Sequence, residues 1–529
     1  MTTIDGMRRD TALVTICTLF SRVTGFGRVI ATAAVLGSGV LGDVYQTANM
    51  IPNLLFELVA GGVLQAVLLP AFVTARRAGG DEALSRATRA SAGLIVAGLA
   101  VVAAVGMALA PVVAHLLLLS EPSAVLADDK ARLMVPMVLM FVPQLVCYGV
   151  ATVTGAALNA RGRYVAAALA PAVNNVIVIA ACLAFRAARD GTVADLDLTN
   201  GQFLLLAGGT TAGVVAFALT PALALRRSGV QWWPTWQPHH PAVWSMRRSF
   251  GWATLSVVGT LVPTAAALAL GNGAEGGVAV FVYAFAFYVL PHALIAVTTA
   301  TTLAPRVADA WQAGSVNDVR DAIDRAAHWA VPLLALAGAG LVALAWPLTR
   351  VLAGFGQTAS QGLEPIAHAL VAFGPGLLGY GIAFVMTRVL FSLGDVRHAA
   401  MLMVVGAVVG VGCMVVMSSA FPARDRAAAL AIGYGAAQTV SAVLLCRRVN
   451  QLTGAISGRR ALSLGAETVA AAVLAGATMV ATVACFDDTR RQALAAFLVA
   501  GSLGVVVFAM VMGVLRRAEL RARRQSSAS

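Results

Sequence analysis

The sequence predicts an all-α polytopic membrane protein of about 14 transmembrane helices: two six-helix lobes related by a parallel repeat, plus two C-terminal helices. Three observations predict this. Of 529 residues, 59% are hydrophobic and only 12% charged, against about 25% charged in ordinary soluble domains. Apolar segments of about 20 residues, enough to cross the hydrocarbon of a bilayer, recur along the whole chain. A stretch in the fourth segment returns in the tenth at a fixed offset of 232 residues.

The segments run 11–37, 44–74, 88–119, 133–159, 164–185, 202–225, 246–270, 278–304, 327–353, 365–392, 397–420, 427–446, 462–486 and 492–515. Several exceed 25 residues, which implies tilting, kinking or extension beyond the bilayer. The first could be mistaken for a secretory signal, since basic residues precede it and AlaThrAla at 31–33 resembles a cleavage site. Its two internal arginines and the many later spans argue against cleavage.

Charge fixes an orientation. With both termini in the cytoplasm, the outer side holds Lys130, Arg132, Arg186, Arg189, Arg350, Arg424, Arg426, Arg490 and Arg491. Arg22, Arg28 and Arg388 lie within spans, leaving 25 of the 37 basic residues inside. The positive-inside rule therefore sets this topology. It also accounts for most of the +13 net charge, which in a soluble protein would suggest nucleic acid. The lobes read as 1–225 and 251–446, joined by a linker at 226–250. A cytoplasmic loop follows at 447–461, then the added helices at 462–515 and a basic tail at 516–529. Trp232, Trp233, Trp236 and Trp244 with flanking arginines suit the linker to the headgroup region of the inner leaflet. The six cysteines lie in or at the ends of apolar segments, form no CxxC pair and imply neither disulfide nor zinc.

The repeat pairs FVPQLVCYGVATVTGAALNARG (141–162) with FGPGLLGYGIAFVMTRVLFSLG (373–394). Phe141/Phe373, Pro143/Pro375, Leu145/Leu377, Tyr148/Tyr380, Gly149/Gly381, Val153/Val385, Leu158/Leu390 and Gly162/Gly394 are identical. Parallel repeats of this kind are typical of alternating-access transporters, with substrate bound between the lobes near the bilayer midplane.

The first span supplies the candidate chemistry. Arg22 and Arg28, framed by SRVTGFGR, sit where each arginine costs roughly 2.5–3.5 kcal/mol to insert. Arg22 is more than 10 residues from either end of the span, beyond comfortable snorkelling reach. The two arginines are about 120° apart on a helix, and Ser21 shares a face with Arg28, so all three can line one broad cavity. Gly25 and Gly27 permit a bend or close packing. Arginine suits an anion with several oxygens, because its fork binds phosphate bidentately and stays charged. Arg388, near the cytoplasmic end of the tenth span, fits either snorkelling or cavity lining. Asp43 opens the second span, where N-capping is the simplest role. Asn53 and Glu57 lie deeper in the same span, with Arg22 or Arg28 as the expected partner of Glu57. No GxxxxGK[ST] motif occurs, so transport draws on membrane potential or an ion gradient, or runs down the substrate gradient. Glu57, then Asp43 and His292, are the coupling candidates; for His292 a hydrogen-bonded core role is the simpler one.

SRVTGFGR followed by GDVYQTANMIPNLLFELVAGGVLQAVLLPAF resembles the N-terminal signature of the MurJ (MviN) family, in the multidrug/oligosaccharidyl-lipid/polysaccharide (MOP) exporter superfamily. The resemblance continues through ALNARGRYVAAALAPAVNN (157–175) and the fourteen-span plan. It implies a flippase, not an enzyme, that moves lipid II, the undecaprenyl-pyrophosphate-linked peptidoglycan precursor, from the inner to the outer leaflet of the bacterial cytoplasmic membrane. It implies that Arg22 and Arg28 are cavity arginines, that Asp43 is the family's second-helix aspartate, and that the two added helices form a groove for the polyprenyl tail. Membrane lipids and cell-wall synthesis proteins are the implied partners; no cofactor or metal is implied. Many members carry further arginines where this chain has Phe56 and Ala286, so the cavity here is less positive. Alternatives are a flippase for another polyprenyl-linked saccharide, a drug exporter, a polyprenyl-phosphate glycosyltransferase and a cell-wall scaffold. Two cavity arginines disfavour cationic drugs, short external loops disfavour the transferase, and a scaffold leaves the arginines unexplained.

Overall fold

A computed structural model describes residues 2–60, 63–189, 196–237, 250–352, 356–357, 363–456, 458–487 and 489–526. Among them the first unit supplies helices α1 (Thr2–Leu36), α2 (Val40–Ala60), α3 (Val63–Ala108), α4 (Ala110–Leu117), α5 (Ala124–Phe141), α6 (Gln144–Ala160), α7 (Val165–Ala187) and α8 (Asn200–Arg227). Then come α9 (Phe250–Gly271), α10 (Gly277–Gln312), α11 (Val316–Ala343), α12 (Ala345–Leu352), α13 (Glu364–Phe373) and α14 (Gly376–Ser392). The chain closes with α15 (Val396–Ala420), α16 (Arg426–Thr453), α17 (Gly458–Val483) and α18 (Arg490–Ser526).

The fourteen expected spans fall on helix, apart from short breaks at turns, wherever they are described. Among the described residues twelve helical segments are long and apolar enough to cross a membrane, or thirteen if α13 and α14, bent by 48°, count as one. The difference from fourteen lies in the second span. α2 carries Asp43, Asn49, Asn53 and Glu57, and the residues after it join the third span within α3 through a break at Gly79–Gly80.

The chain divides into two compact units, Met1–Leu261 and Val262–Ser529. In the first, α1 packs on α7, α3 on α6, α2 on α5, and α8 on α6 and α7. Its core includes the fully buried Tyr45, Phe72, Phe141 and Phe185. In the second, α16 packs on α14 and α15, and α10 on α11 and α14. Val389, Leu390 and Leu445 centre this core. α17 lies along α11, and α18 along α17 and α12. Small residues at that contact, Ala471 and Ala475, let the helices approach closely beside Phe508 and Met512.

The repeat identities are structural. Pro143 and Pro375 occupy matching helix breaks, α5 to α6 and α13 to α14. Phe141, Leu145 and Leu158, and their counterparts Phe373, Leu377 and Leu390, are all buried. A Cβ on Gly149 or Gly381 would run into Leu99 or Leu334. Gly162 (φ 74°) and Gly394 (φ 81°) end α6 and α14 in the left-handed region, where a side chain is strained. There the Arg163 amide donates to the Leu158 carbonyl, and the Asp395 amide to that of Leu390, both at 2.9 Å.

Charged groups tie down both turns. Arg161 donates to the Asp81 carboxylate (2.8 Å) and to the Ser228 carbonyl (2.5 Å). Arg448 Nε donates to Asp395 (2.7 Å), which also lies 2.6 Å from His398 Nδ1. On the outer side of the predicted topology Lys130 and Glu121 form a buried ion pair at 2.6 Å.

Candidate functional site

α1 runs unbroken through the SRVTGFGR motif. Gly25 and Gly27 serve close packing rather than a bend: a Cβ on Gly25 would lie 3.3 Å from Asn175 Nδ2, and one on Gly27 3.7 Å from Ile179, both on α7. Asn175 Nδ2 donates to the Ser21 carbonyl and to Thr24 Oγ1, each at 3.4 Å. Ser21 is half-buried, Arg22 exposed and Arg28 half-buried. Neither guanidinium makes a hydrogen bond or ion pair among the described residues. Arg28 lies within electrostatic range of Tyr45 on α2, Tyr148 on α6 and Cys182 on α7. Asn175 escaped the sequence reading as a site residue, although the AsnAsn of APAVNN in an apolar run is a visible signal.

On α2 two expectations change. Asp43 is not the N-cap: it lies inside the helix, its amide donates to the Gly39 carbonyl (3.1 Å), and it is fully buried. Glu57 is exposed and pairs with neither Arg22 nor Arg28. α1 and α2 meet only slightly, α1 packing chiefly on α7 and α2 on α5. Asn53 is half-buried and donates to the Asn49 carbonyl at 2.8 Å. Phe56 packs at 5.2 Å from the ring of Tyr148, whose other ring neighbour is Phe217 at 6.0 Å.

His292 and Arg388 belong to the second unit. His292 is buried and stacks on Tyr380 (3.8 Å, 28°), with the edge of Phe384 at 5.1 Å. Its Nδ1 finds no hydrogen-bond partner among the described residues, where the expected hydrogen-bonded core histidine is instead a stacked one. Arg388 is half-buried over the Phe384 ring at 5.3 Å, and Ala286 is half-buried on α10. Two apolar clefts sharing Leu334 and Leu378 run along α11 and α14. One, about 270 Å³, is lined also by Cys446, Ile456 and Leu464; the other, about 570 Å³, by Val469, Val473 and Val480 of α17.

Of the linker, residues 238–249, including Trp244, lie outside the described residues. The part before them is fastened to α3: the Thr235 amide donates to the Arg89 carbonyl (3.1 Å) and the Gln231 amide to Ser85 Oγ (3.2 Å). Trp232 stacks on Trp233 at 4.9 Å, and Trp233 and Trp236 are exposed.

These helical units have the fold of a MOP-superfamily exporter. An inward-facing multidrug transporter of the MATE family superposes with a TM-score of 0.63 at 15% identity, covering 84% of this chain and 99% of its own. A lipid II flippase MurJ in an inward closed conformation gives 0.74 at 15% identity, over 96% and 100%. The chain belongs to the lipid II flippase MurJ family, which matches residues 32–511. A probable lipid II flippase MurJ of Rhizobium meliloti is 27% identical over 388 residues, 72% of this chain and 69% of that protein. The lipid II flippase MurJ of Burkholderia cenocepacia is 26% identical over 396 residues, 73% and 74% respectively. The family match begins at residue 32, after both α1 arginines.

Proposed function

We propose that this chain moves lipid II from the cytoplasmic to the outer leaflet by alternating access of its two lobes, with Arg28 and Arg22 engaging the pyrophosphate. The observation that carries this is an intramembrane helix presenting two guanidiniums that no described acid neutralises. An uncompensated charge at that depth is costly, and a multiply charged anion removes the cost when it binds. Ser21, Asp43 and Asn53 complete the polar set of the first lobe, and Arg388 adds a cation in the second. The apolar clefts beside α17 suit the polyprenyl tail, which needs no polar partner.

The chain resides in the cytoplasmic membrane with both termini inside, and cell-wall synthesis proteins that consume the outer-leaflet precursor are its partners. Membrane potential drives the cycle, at about 2.3 kcal/mol per charge per 100 mV. Glu57, Asp43 and His292 stand as the groups through which a proton could couple; Glu57, exposed and without a partner among the described residues, is the first to test.

The test is complementation of a strain depleted of its own flippase, with lipid II assayed in each leaflet. Arg28→Ala and the Arg22→Ala/Arg28→Ala double variant should remain in the membrane yet leave lipid II on the inner leaflet. Normal export by the double variant would show that the two charges are dispensable.

A further inference from the structure

The aromatic cluster around Tyr148, within electrostatic range of Arg28, is not needed to bind a pyrophosphate. Tyr148 on α6 is flanked by Phe56 of α2, tilted at 44°, and Phe217 of α8, edge-on at 68°. All three residues are half-buried. Neither neighbour lies parallel to Tyr148, so neither stacks on its ring, and its hydroxyl makes no hydrogen bond among the described residues. Ordinary core tyrosines of this chain look different. Tyr45 is fully buried with its hydroxyl 2.9 Å from Thr210 Oγ1. Tyr380, the repeat counterpart of Tyr148, stacks on Tyr288 at 9° and on His292 at 28°. One repeat position has been built into an aromatic stack, and its twin is a half-buried, unstacked ring whose hydroxyl has no partner among the described residues.

A pyranose has one face of C–H groups and a rim of hydroxyls. A half-buried aromatic edge suits the first, through burial and weak C–H contacts with the ring, and an unpartnered phenol suits the second. We propose that Phe56, Tyr148 and Phe217 form a platform for a sugar ring of the lipid-linked substrate, within electrostatic range of Arg28. The platform rests on the assignment of Arg28 to the pyrophosphate, since that contact brings the first sugar alongside.

The experiment measures binding to the full-length protein in nanodiscs of two ligands, lipid II and undecaprenyl pyrophosphate, which lacks the sugars. Phe56→Leu should weaken lipid II roughly ten-fold and leave the sugarless lipid unchanged. Tyr148→Phe, which keeps the ring and so guards against misfolding, should weaken lipid II alone, by about three- to five-fold. Arg28→Ala should weaken both. Equal losses for the two ligands, or none, in both aromatic variants would overturn the platform. If Arg28→Ala changes neither ligand while Phe56→Leu still discriminates, the platform stands and the pyrophosphate assignment falls.

Discussion

Asp395 sits in the turn between α14 and α15, outside the spans, and its carboxylate is only 15% exposed. Burial would raise its proton affinity, but the hydrogen bonds from His398 and Arg448, with their charges, outweigh it and hold the carboxyl below the usual range. A carboxyl depressed on folding stabilises above its unfolded value, about 3.9, and loses that contribution as pH falls through the folded one. Asp395→Asn should therefore cost about 1–3 kcal/mol at pH 7. Its thermal midpoint should fall several degrees below that of the parent protein, and the gap should close below about pH 4. A constant gap across the range would assign the loss to packing. What the sequence made visible at this scale was charge in the wrong place: Arg22, Arg28 and Glu57 stand out in apolar runs. Their partners were not visible, because contact depends on which helix packs on which. Glu57 shows this directly, since its place in the same polar helix region suggested a pair that is not formed among the described residues.

Helices end where the backbone is told to turn, and the two repeat copies carry the same instruction. Gly162 and Gly394 hold positive φ with open space around the missing Cβ, so a methyl there meets backbone strain and no neighbour. Gly162→Ala and Gly394→Ala should each cost about 1–2 kcal/mol. Gly98→Ala, at an exposed helical position with equal room, should stabilise by up to about 1 kcal/mol. Thermal midpoints of the three variants check the opposite signs; a loss at Gly98 would show that any added methyl is harmful here. The spans were legible because length and apolarity mark them. The breaks were harder: Pro143 and Pro375 were seen as matching residues, but that each separates two helices depends on how the chain behind the proline packs.

At the level of the whole molecule, the fourteen-span helical plan and the family were legible in hydropathy and in the N-terminal motif. The aromatic platform was not, because Phe56, Tyr148 and Phe217 are 92 and 69 residues apart in sequence and join only through the α2–α6 and α6–α8 contacts. Basicity of this chain is almost wholly arginine, and Lys130 is its single lysine. That lysine is fully buried against Glu121. The side chains of the native protein therefore present no primary amine to solvent. Succinimidyl esters should leave Lys130 unmodified until the fold opens, so the appearance of an acylated Lys130 peptide in mass spectra becomes a built-in clock for unfolding of the first unit. Glu121→Gln, which removes the counter-charge, should start that clock earlier.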